Sequence, residues 1–355
     1  GCVAEFDMNN NLTLYDQTNV IHLGKQRIME YFGQIGLKGK KVRVVNAIVG
    51  GSFGTKLDTD IYEFICIQLA LKTRKPVKIL FSREEEFFAL PPRQPAIFDI
   101  EQGCDKEGRL TFRKCEALLD NGAYTSWGAT TPSVMMMPMS SLYRVPNVSF
   151  EATCVYTNNI YCQAMRGYGN PQASFAVETS MDTLAEEAGI DPAEFRLINR
   201  NQPGDETPQR LKITSCGLEE CINSVKEKLD WDKKKKDKKK ARGVGMASLI
   251  HVAGGARVYM SDGHGIMIKV DQNGWIDVFE SGTDQGQGSP TVISQIVAEA
   301  LGFKPEDVSL TMGDTGLSLW DAGTHASRHT FMAGNAAIRC CEKVKKQILD
   351  MAVQY

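Results

Sequence analysis

Four glycine-rich loops, each running into a segment with apolar residues at helical spacing, constrain this chain more than any other feature. The fullest is Gln163-Ala164-Met165-Arg166-Gly167-Tyr168-Gly169-Asn170-Pro171-Gln172. Its glycines permit a tight turn, and Pro171 suits the first turn of a helix, where its missing N–H costs nothing. Phe175, Val177, Met181, Leu184 and Ala185 then predict a helix over Ala173–Ala188. Gly50-Gly51-Ser52-Phe53-Gly54-Thr55-Lys56 precedes Ile61, Phe64, Ile65 and Leu69. Gly282-Thr283-Asp284-Gln285-Gly286-Gln287-Gly288-Ser289-Pro290 precedes Val292, Ile296, Val297 and Leu301. Gly323-Thr324-His325-Ala326-Ser327 precedes a helical run from Phe331 to Val353. A helix start offers free backbone N–H groups and the positive end of the dipole, which together hold anions. Four such junctions point to a large polyanionic ligand gripped by several loops.

With 355 residues and 42% hydrophobic content the chain can bury a substantial core, and two domains are expected. A net charge of −2 gives no global pull toward nucleic acid or anionic lipid. No apolar run approaches the roughly 20 residues of a membrane span. Gly1 to Asp7 alternates like the middle of a strand, so the chain is expected to begin inside a larger polypeptide. The ten cysteines are scattered without any C-x-x-C, which fits free, mostly buried thiols in a reducing cytoplasm better than a zinc or iron–sulfur site.

Residues 11–20 and 41–49 read as strands, as do Val77–Phe81 and Leu110–Leu119. Trp127–Met139, rich in Pro, Met and Ser, reads as a pocket wall or a packed loop. Asp191-Pro192-Ala193-Glu194 carries a cap, a first-turn proline and an acidic third position, so it starts a short helix. Leu218, Ile222, Val225 and Leu229 stripe another helix. The lysine-rich run Asp232 to Lys240 has no interleaved aromatics for base stacking and reads as a solvated connector. Domains are therefore expected at 1–231 and 243–355, joined by a linker over 232–242. Asn273-Gly274 marks a hairpin, Ser289 caps a helix that Gly302 stops, and Val308–Met312 is a strand. The order is that of an α+β fold with two mixed α/β domains.

Competing motifs are incomplete. Gly50-Gly51-Ser52-Phe53-Gly54 satisfies G-x-S-x-G, which would make Ser52 a hydrolase nucleophile, but that reading leaves three glycine loops idle. Neither Gly167-Tyr168-Gly169 nor Gly286-Gln287-Gly288 completes a dinucleotide fingerprint. His325 and His329 could share a helix face, yet without the Glu of H-E-x-x-H or a third ligand they read as polar residues of a loop and a first helical turn rather than a zinc site. His251, beside Val252-Ala253-Gly254-Gly255, reads as a structural histidine or a pocket residue.

Taken in order, the loops resemble the molybdopterin-binding subunit of the xanthine oxidase family of molybdenum hydroxylases. GGSFGTK resembles that family's GGGFGGK, AMRGYGNPQ its AFRGFGGPQ, and GTDQGQG its GTEMGQG. GDTGLSLWDAGTHASRHTFMAGNAAI resembles the later cofactor loop and helix, nearest the 4-hydroxybenzoyl-CoA reductase and nicotinate dehydrogenase branches. The resemblance implies molybdenum held by a pterin dithiolene rather than by side chains, the pterin being the cytosine dinucleotide form. It implies electron transfer to Fe–S clusters and FAD on partner subunits, with the metal doing the hard chemistry and the protein orienting it.

By motif position Gln17 would hydrogen-bond an oxo ligand of the metal. Phe53, Gly54, Arg166 and Gly167 would offer backbone groups beside it, and Gly51 and Ser52 would join the cofactor contacts. Gln285, Gly286, Gln287, Gly288, Ala326 and Ser327 would contact pterin or dinucleotide, and Tyr168 would flank the substrate. Leu57 stands where purine-type enzymes place a Glu, and Val134 where they place an Arg, so an aromatic, N-heterocyclic or CoA-thioester substrate is expected over a purine. The absence of a cysteine from Arg166–Gly169 argues against the carbon monoxide branch. No residue matches the family's general-base Glu. The chain is therefore expected to be a fragment or a split subunit, inactive alone and completed by the rest of its polypeptide or a second molybdopterin subunit. The alternative is a non-catalytic cofactor-binding module.

Overall fold

The computed structural model describes residues 1–237, 241–254 and 262–354. Lys238, Lys239 and Lys240 of the lysine run, Gly255 and Tyr355 lie outside the described residues. The chain forms two compact units. The first is built from Gly1–Leu90 together with Ala253–Tyr355, and the second from Pro91–Val252. This division differs from the one expected at the lysine run, because the chain returns to its first unit after completing the second.

In the first unit, β1 (Cys2–Phe6) and β2 (Leu12–Asp16) form an antiparallel pair. Helix α1 (Ile21–Gln34), which the sequence reading did not include, carries the chain to β3 (Val42–Asn46), parallel to β2. Helix α2 (Ile61–Thr73) leads to β4 (Val77–Ile79), and a short α3 (Arg83–Ala89) follows. The sheet order is β3-β2-β1-β4. Alternation buries Leu12 and Leu14 of β2 against Ile28 and Phe32 of α1 and Cys66 and Ile67 of α2.

The second unit holds β5 (Ala96–Cys104), β6 (Leu110–Asp120) and β7 (Val148–Val155) in that order, with β6 antiparallel to β5 and parallel to β7. Between β6 and β7, Trp127–Thr130 forms a 3₁₀ turn and Thr131–Ser141 forms α4, despite Pro138 within it. The stretch left open between wall and loop is thus helical, with Met135 and Met139 wholly buried. Helix α5 (Asn170–Glu187) packs Ala173, Val177 and Met181 into the same core. Asp191 caps α6 (Pro192–Ile198) by accepting from Ala193 N–H at 2.9 Å. The striped helix is α7 (Leu218–Leu229). The lysine run begins as α8 (Trp231–Lys236) rather than as an extended connector. Trp231 anchors it: the ring is buried, and its Nε1 donates to Asp191 Oδ2 at 2.9 Å.

Returning to the first unit, β8 (Ile266–Val270) and β9 (Ile276–Glu280) make the hairpin expected at Asn273-Gly274. Helix α9 (Ser289–Leu301) crosses to β10 (Val308–Met312), parallel to β9. Its N-cap is Gly288, with Ser289 already in the first turn. Helix α10 (His329–Ala352) packs Ala333, Ala337 and Cys341 onto Ile293 and Val297 of α9. The ten cysteines are free, and only Cys221 is exposed. Among the described residues no helix is long and apolar enough to cross a membrane.

Candidate functional site

In the first unit, sequence-distant segments meet around two buried residues, Asn19 and Thr324. Asn19 N–H donates to Lys56 O at 3.0 Å, tying residues 17–20 to the end of the 50–56 loop. Thr324 N–H donates to Asn19 O at 3.0 Å, and Asn19 Nδ2 returns a bond to Thr324 O at 3.3 Å. Thr283 Oγ1 donates to Asn19 O at 3.3 Å, and Gln285 Nε2 to Thr324 O at 2.5 Å. Gly323 is required there, since a Cβ on it would lie 2.5 Å from Val20 Cγ1 and 2.8 Å from Asn19 O. One knot therefore gathers Gln17, the Gly51–Gly54 loop, Gln285–Gly288 and Ala326–Ser327. Sequence reading missed the roles of Asn19 and Thr324, whose partners lie hundreds of residues away.

The backbone at these loops is held in sparsely populated conformations. Phe53 (φ 57°), Ala326 (φ 47°), Ser327 (φ 52°) and, in the second unit, Tyr168 (φ 43°) are non-glycine residues in the left-handed region. Each costs on the order of 1–3 kcal/mol and persists only when its surroundings enforce it, a pattern typical of ligand sites. A Cβ built on Gly50, Gly286 or Gly288 would meet nothing within 4 Å among the described residues, so bare backbone faces open space. Phe53 is 63% exposed. The starts of α5, α9 and α10 carry no side-chain cap among the described residues.

The 50–56 loop behaves differently from the expectation. It does not deliver the chain onto an open helix start: α2 begins five residues later, and Glu63 Oε2 accepts Asp60 N–H at 2.7 Å in a capping box. Its loop is closed by Ser52, whose buried Oγ accepts from Gly54 N–H at 3.3 Å and Lys56 N–H at 3.4 Å. A hydroxyl buried as a loop acceptor is not a nucleophile elbow, and the hydrolase reading falls. Lys56 Nζ donates to Val49 O at 2.6 Å, and burial lowers its pKa. Gln17 Nε2 donates to Ile48 O at 2.8 Å, while its Oε1 accepts from the Gly1 amino group at 2.9 Å. Beside it, burial pushes the Asp16 carboxyl up to about 6. Leu57 is buried. In the 282–288 loop Asp284 Oδ1 accepts from Gly286 and Gly288 N–H at 3.3 and 3.1 Å.

In the second unit Arg166, Gly167, Tyr168 and Val134 are brought together. Arg166 is exposed, and its carbonyl accepts from Arg93 Nη2 at 2.5 Å. Tyr168, half-buried, donates its hydroxyl to Trp127 O and meets Thr130 Oγ1. Burial raises its pKa. Gly169 (φ 93°) lies against α4, where a Cβ would come 2.9 Å from Thr131 O and 3.0 Å from Met135 Cγ. Val134 is half-buried on that helix. His251 is exposed, with Nδ1 2.8 Å from Asn170 Nδ2 at the start of α5.

His325 and His329 do not act as a pair. His325 Nε2 lies 3.0 Å from Ala322 O, whereas His329 turns toward His264 and Glu280.

The family described as molybdopterin cofactor-binding domain matches residues 1–200 and again 224–355. The chain belongs to this family, the molybdopterin-binding large subunits of xanthine oxidase-type molybdenum hydroxylases. It is 32% identical over 359 residues to the xanthine dehydrogenase molybdenum-binding subunit of Escherichia coli O157:H7, covering 99% of this chain and 47% of that protein. It is 36% identical over 228 residues to the nicotinate dehydrogenase large molybdopterin subunit of Eubacterium barkeri, covering 64% of this chain and 52% of that protein. The aldehyde oxidoreductase from Desulfovibrio gigas has the same fold, with a TM-score of 0.85 at 26% identity over 96% of this chain and 38% of that one. The chain thus spans about half the length of the curated relatives it matches.

The residues present fit such a cofactor. Open glycine backbones at Gly50, Gly286 and Gly288 allow close approach of a ligand, and the starts of α9 and α10, without side-chain caps among the described residues, present the helix N-termini that favour phosphates.

Proposed function

We propose that this chain is the cofactor-binding portion of a molybdenum-dependent oxidoreductase that hydroxylates, or reductively dehydroxylates, an aromatic, N-heterocyclic or CoA-thioester substrate. The knot of four segments around Asn19 and Thr324 carries the reading, because it turns separate glycine loops into one cradle. When bound, the molybdenum cofactor supplies the two-electron redox chemistry. Gly51, Ser52, Phe53, Gly54 and the Gln285–Gly288 and Ala326–Ser327 loops would hold and orient it by close approach of their backbone. Gln17 uses its amide to position a metal ligand, and Arg166 and Gly167 contribute backbone groups. Leu57, Val134 and Tyr168 present apolar and aromatic surface to substrate and help exclude water.

The cofactor is proposed to be the cytosine dinucleotide, with Fe–S clusters and FAD on partner subunits and further molybdopterin-binding sequence in the same polypeptide or another subunit. The free thiols support a reducing, cytoplasmic setting. Alone, the chain is expected to be inactive, because no residue here is assigned as the general base.

The test is elemental analysis of the natively purified assembly containing this chain, with acid release of its nucleotide. One molybdenum per chain, CMP in the supernatant and iron in partner subunits are expected. An intact assembly with neither molybdenum nor nucleotide would overturn the assignment.

A further inference from the structure

Below the 282–288 loop of the first unit lies a cluster of side chains that the cofactor reading does not use. His264 Nε2 is 2.7 Å from Glu280 Oε1, and His329 Nε2 is 3.9 Å from the same oxygen. The two imidazole rings stand 5.6 Å apart at 75°. All three side chains are sealed from solvent, at 1%, 0% and 7% exposure for His264, Glu280 and His329. Even so, Glu280 Oε2, His329 Nε2 and both ring nitrogens of His264 make no aligned hydrogen bond among the described residues, the 2.7 Å approach of His264 to Glu280 being a close contact without hydrogen-bond geometry. Buried polar atoms left unsatisfied lose their hydration without replacement, so the cluster as it stands is an unfavourable interior.

Two further observations suggest what would satisfy it. A polar group stands behind each imidazole: His329 Nδ1 lies 3.3 Å from Thr324 Oγ1, and His264 Nδ1 faces Asp321 Oδ1 at 3.1 Å without hydrogen-bond alignment. This arrangement leaves each Nε2 facing inward, as in metal-ligating histidines backed by a carboxylate or hydroxyl. Charge points the same way. Glu280, Asp321 and Asp262 bring three carboxylates, and Arg328, bonded to Asp262 and to Asp321 at 2.7 Å, is the cation that answers them. With both imidazoles neutral, two negative charges remain, the balance of one divalent cation.

We infer that His264, Glu280 and His329 form a site for one divalent transition-metal ion of the zinc type, separate from the molybdenum cofactor. Their ligand atoms lie within 4.8 Å of one another, and a small closure of the side chains brings them to zinc–nitrogen and zinc–oxygen distances of ~2.0–2.2 Å, with a fourth position left for water. The ligands come from the end of β9, the segment before β8 and the first residue of α10. The ion therefore staples the 282–288 loop to the 323–328 loop from beneath. Gly282 is part of the design, since a Cβ there would lie 2.1 Å from His329 Cε1.

The full 355-residue chain, stripped with chelator, would be titrated with Zn²⁺ and separately with Co²⁺. One equivalent should bind, Co²⁺ should show the visible d–d bands of a four-coordinate site, and Tm should rise with Zn²⁺ and fall back on chelation. Asp321→Asn should weaken binding about 10–100-fold, and His264→Gln with His329→Gln should abolish it. Near-UV circular dichroism identifies variants that have lost their fold. Because such variants can unfold, the Tm response of the unsubstituted chain is an independent arm. No stoichiometric binding and no Tm shift would overturn the site, as would equal binding by a folded double variant. Neither arm needs molybdenum or nucleotide, so failure here is distinct from failure of the cofactor assignment.

Discussion

Asp16 shows how much a single burial decides. Its carboxyl is enclosed beside Gln17, and desolvation outweighs the opposing pull of the Gln17 N–H and Lys56, pushing it up to about 6. An unperturbed aspartate titrates near ~3.9. Between those values the folded chain binds more protons than the unfolded one, so stability falls as pH rises. The stabilisation is complete below about 4 and is lost as pH passes 6. The urea midpoint of wild type is expected to drop across this window relative to Asp16→Asn, which removes the ionisation. Parallel profiles for the two proteins would refute the assignment. No sequence pattern marks this aspartate, because its environment is made by β2, α2 and the 50–56 loop together.

At the scale of elements, the sequence was most legible where the signal is local. Pro171, Asp191, Asn273-Gly274 and Gly302 each mark a boundary by their own backbone chemistry, and the structure has a boundary at each. Helix α1 was missed, and α2 was joined wrongly to its preceding loop because Asp60 and Glu63 close that helix start themselves. His325 and His329 do lie in a loop and a first helical turn, but the groups that answer His329 come from β9 and the segment before β8. Distances of this kind are set by the tertiary fold and are invisible to periodicity.

The contact of α5 with α6 offers a test at this scale. Arg196 is fully buried and donates to Glu178 Oε2 at 2.9 Å and to Asp182 Oδ1 at 2.7 Å. Glu178 also accepts from Tyr143 Oη at 2.7 Å and Ser248 N–H at 2.8 Å. Arg196→Met is expected to destabilise the chain by about 3–5 kcal/mol, since it strands a buried carboxylate. Glu178→Met combined with it should recover part of that loss. Urea denaturation of the three proteins decides, and additive losses would remove the pairing argument.

Across the whole molecule, composition suggested a break at the lysine run, and the two family matches also part between 200 and 224. The compact units divide elsewhere, at 90/91 and 252/253. Physics explains the difference: residues after the lysine run still serve the second unit. Ser248 N–H satisfies Glu178, Ile250 O accepts from Asn170 Nδ2 at 2.6 Å, and Met246 packs beside Trp231. A fragment of residues 91–252 is therefore expected to unfold cooperatively, with a higher urea midpoint than 91–231. Equal midpoints would show that the later strap contributes nothing.

The return of the chain to its first unit also sets an order of events during synthesis. Asn19 leaves the ribosome 305 residues ahead of its partner Thr324. Until then the nascent chain can complete the β1–β4 sheet and the second unit, but not the cradle. Loading of any ligand that needs the 50–56, 282–288 and 323–327 loops together is thus a late step.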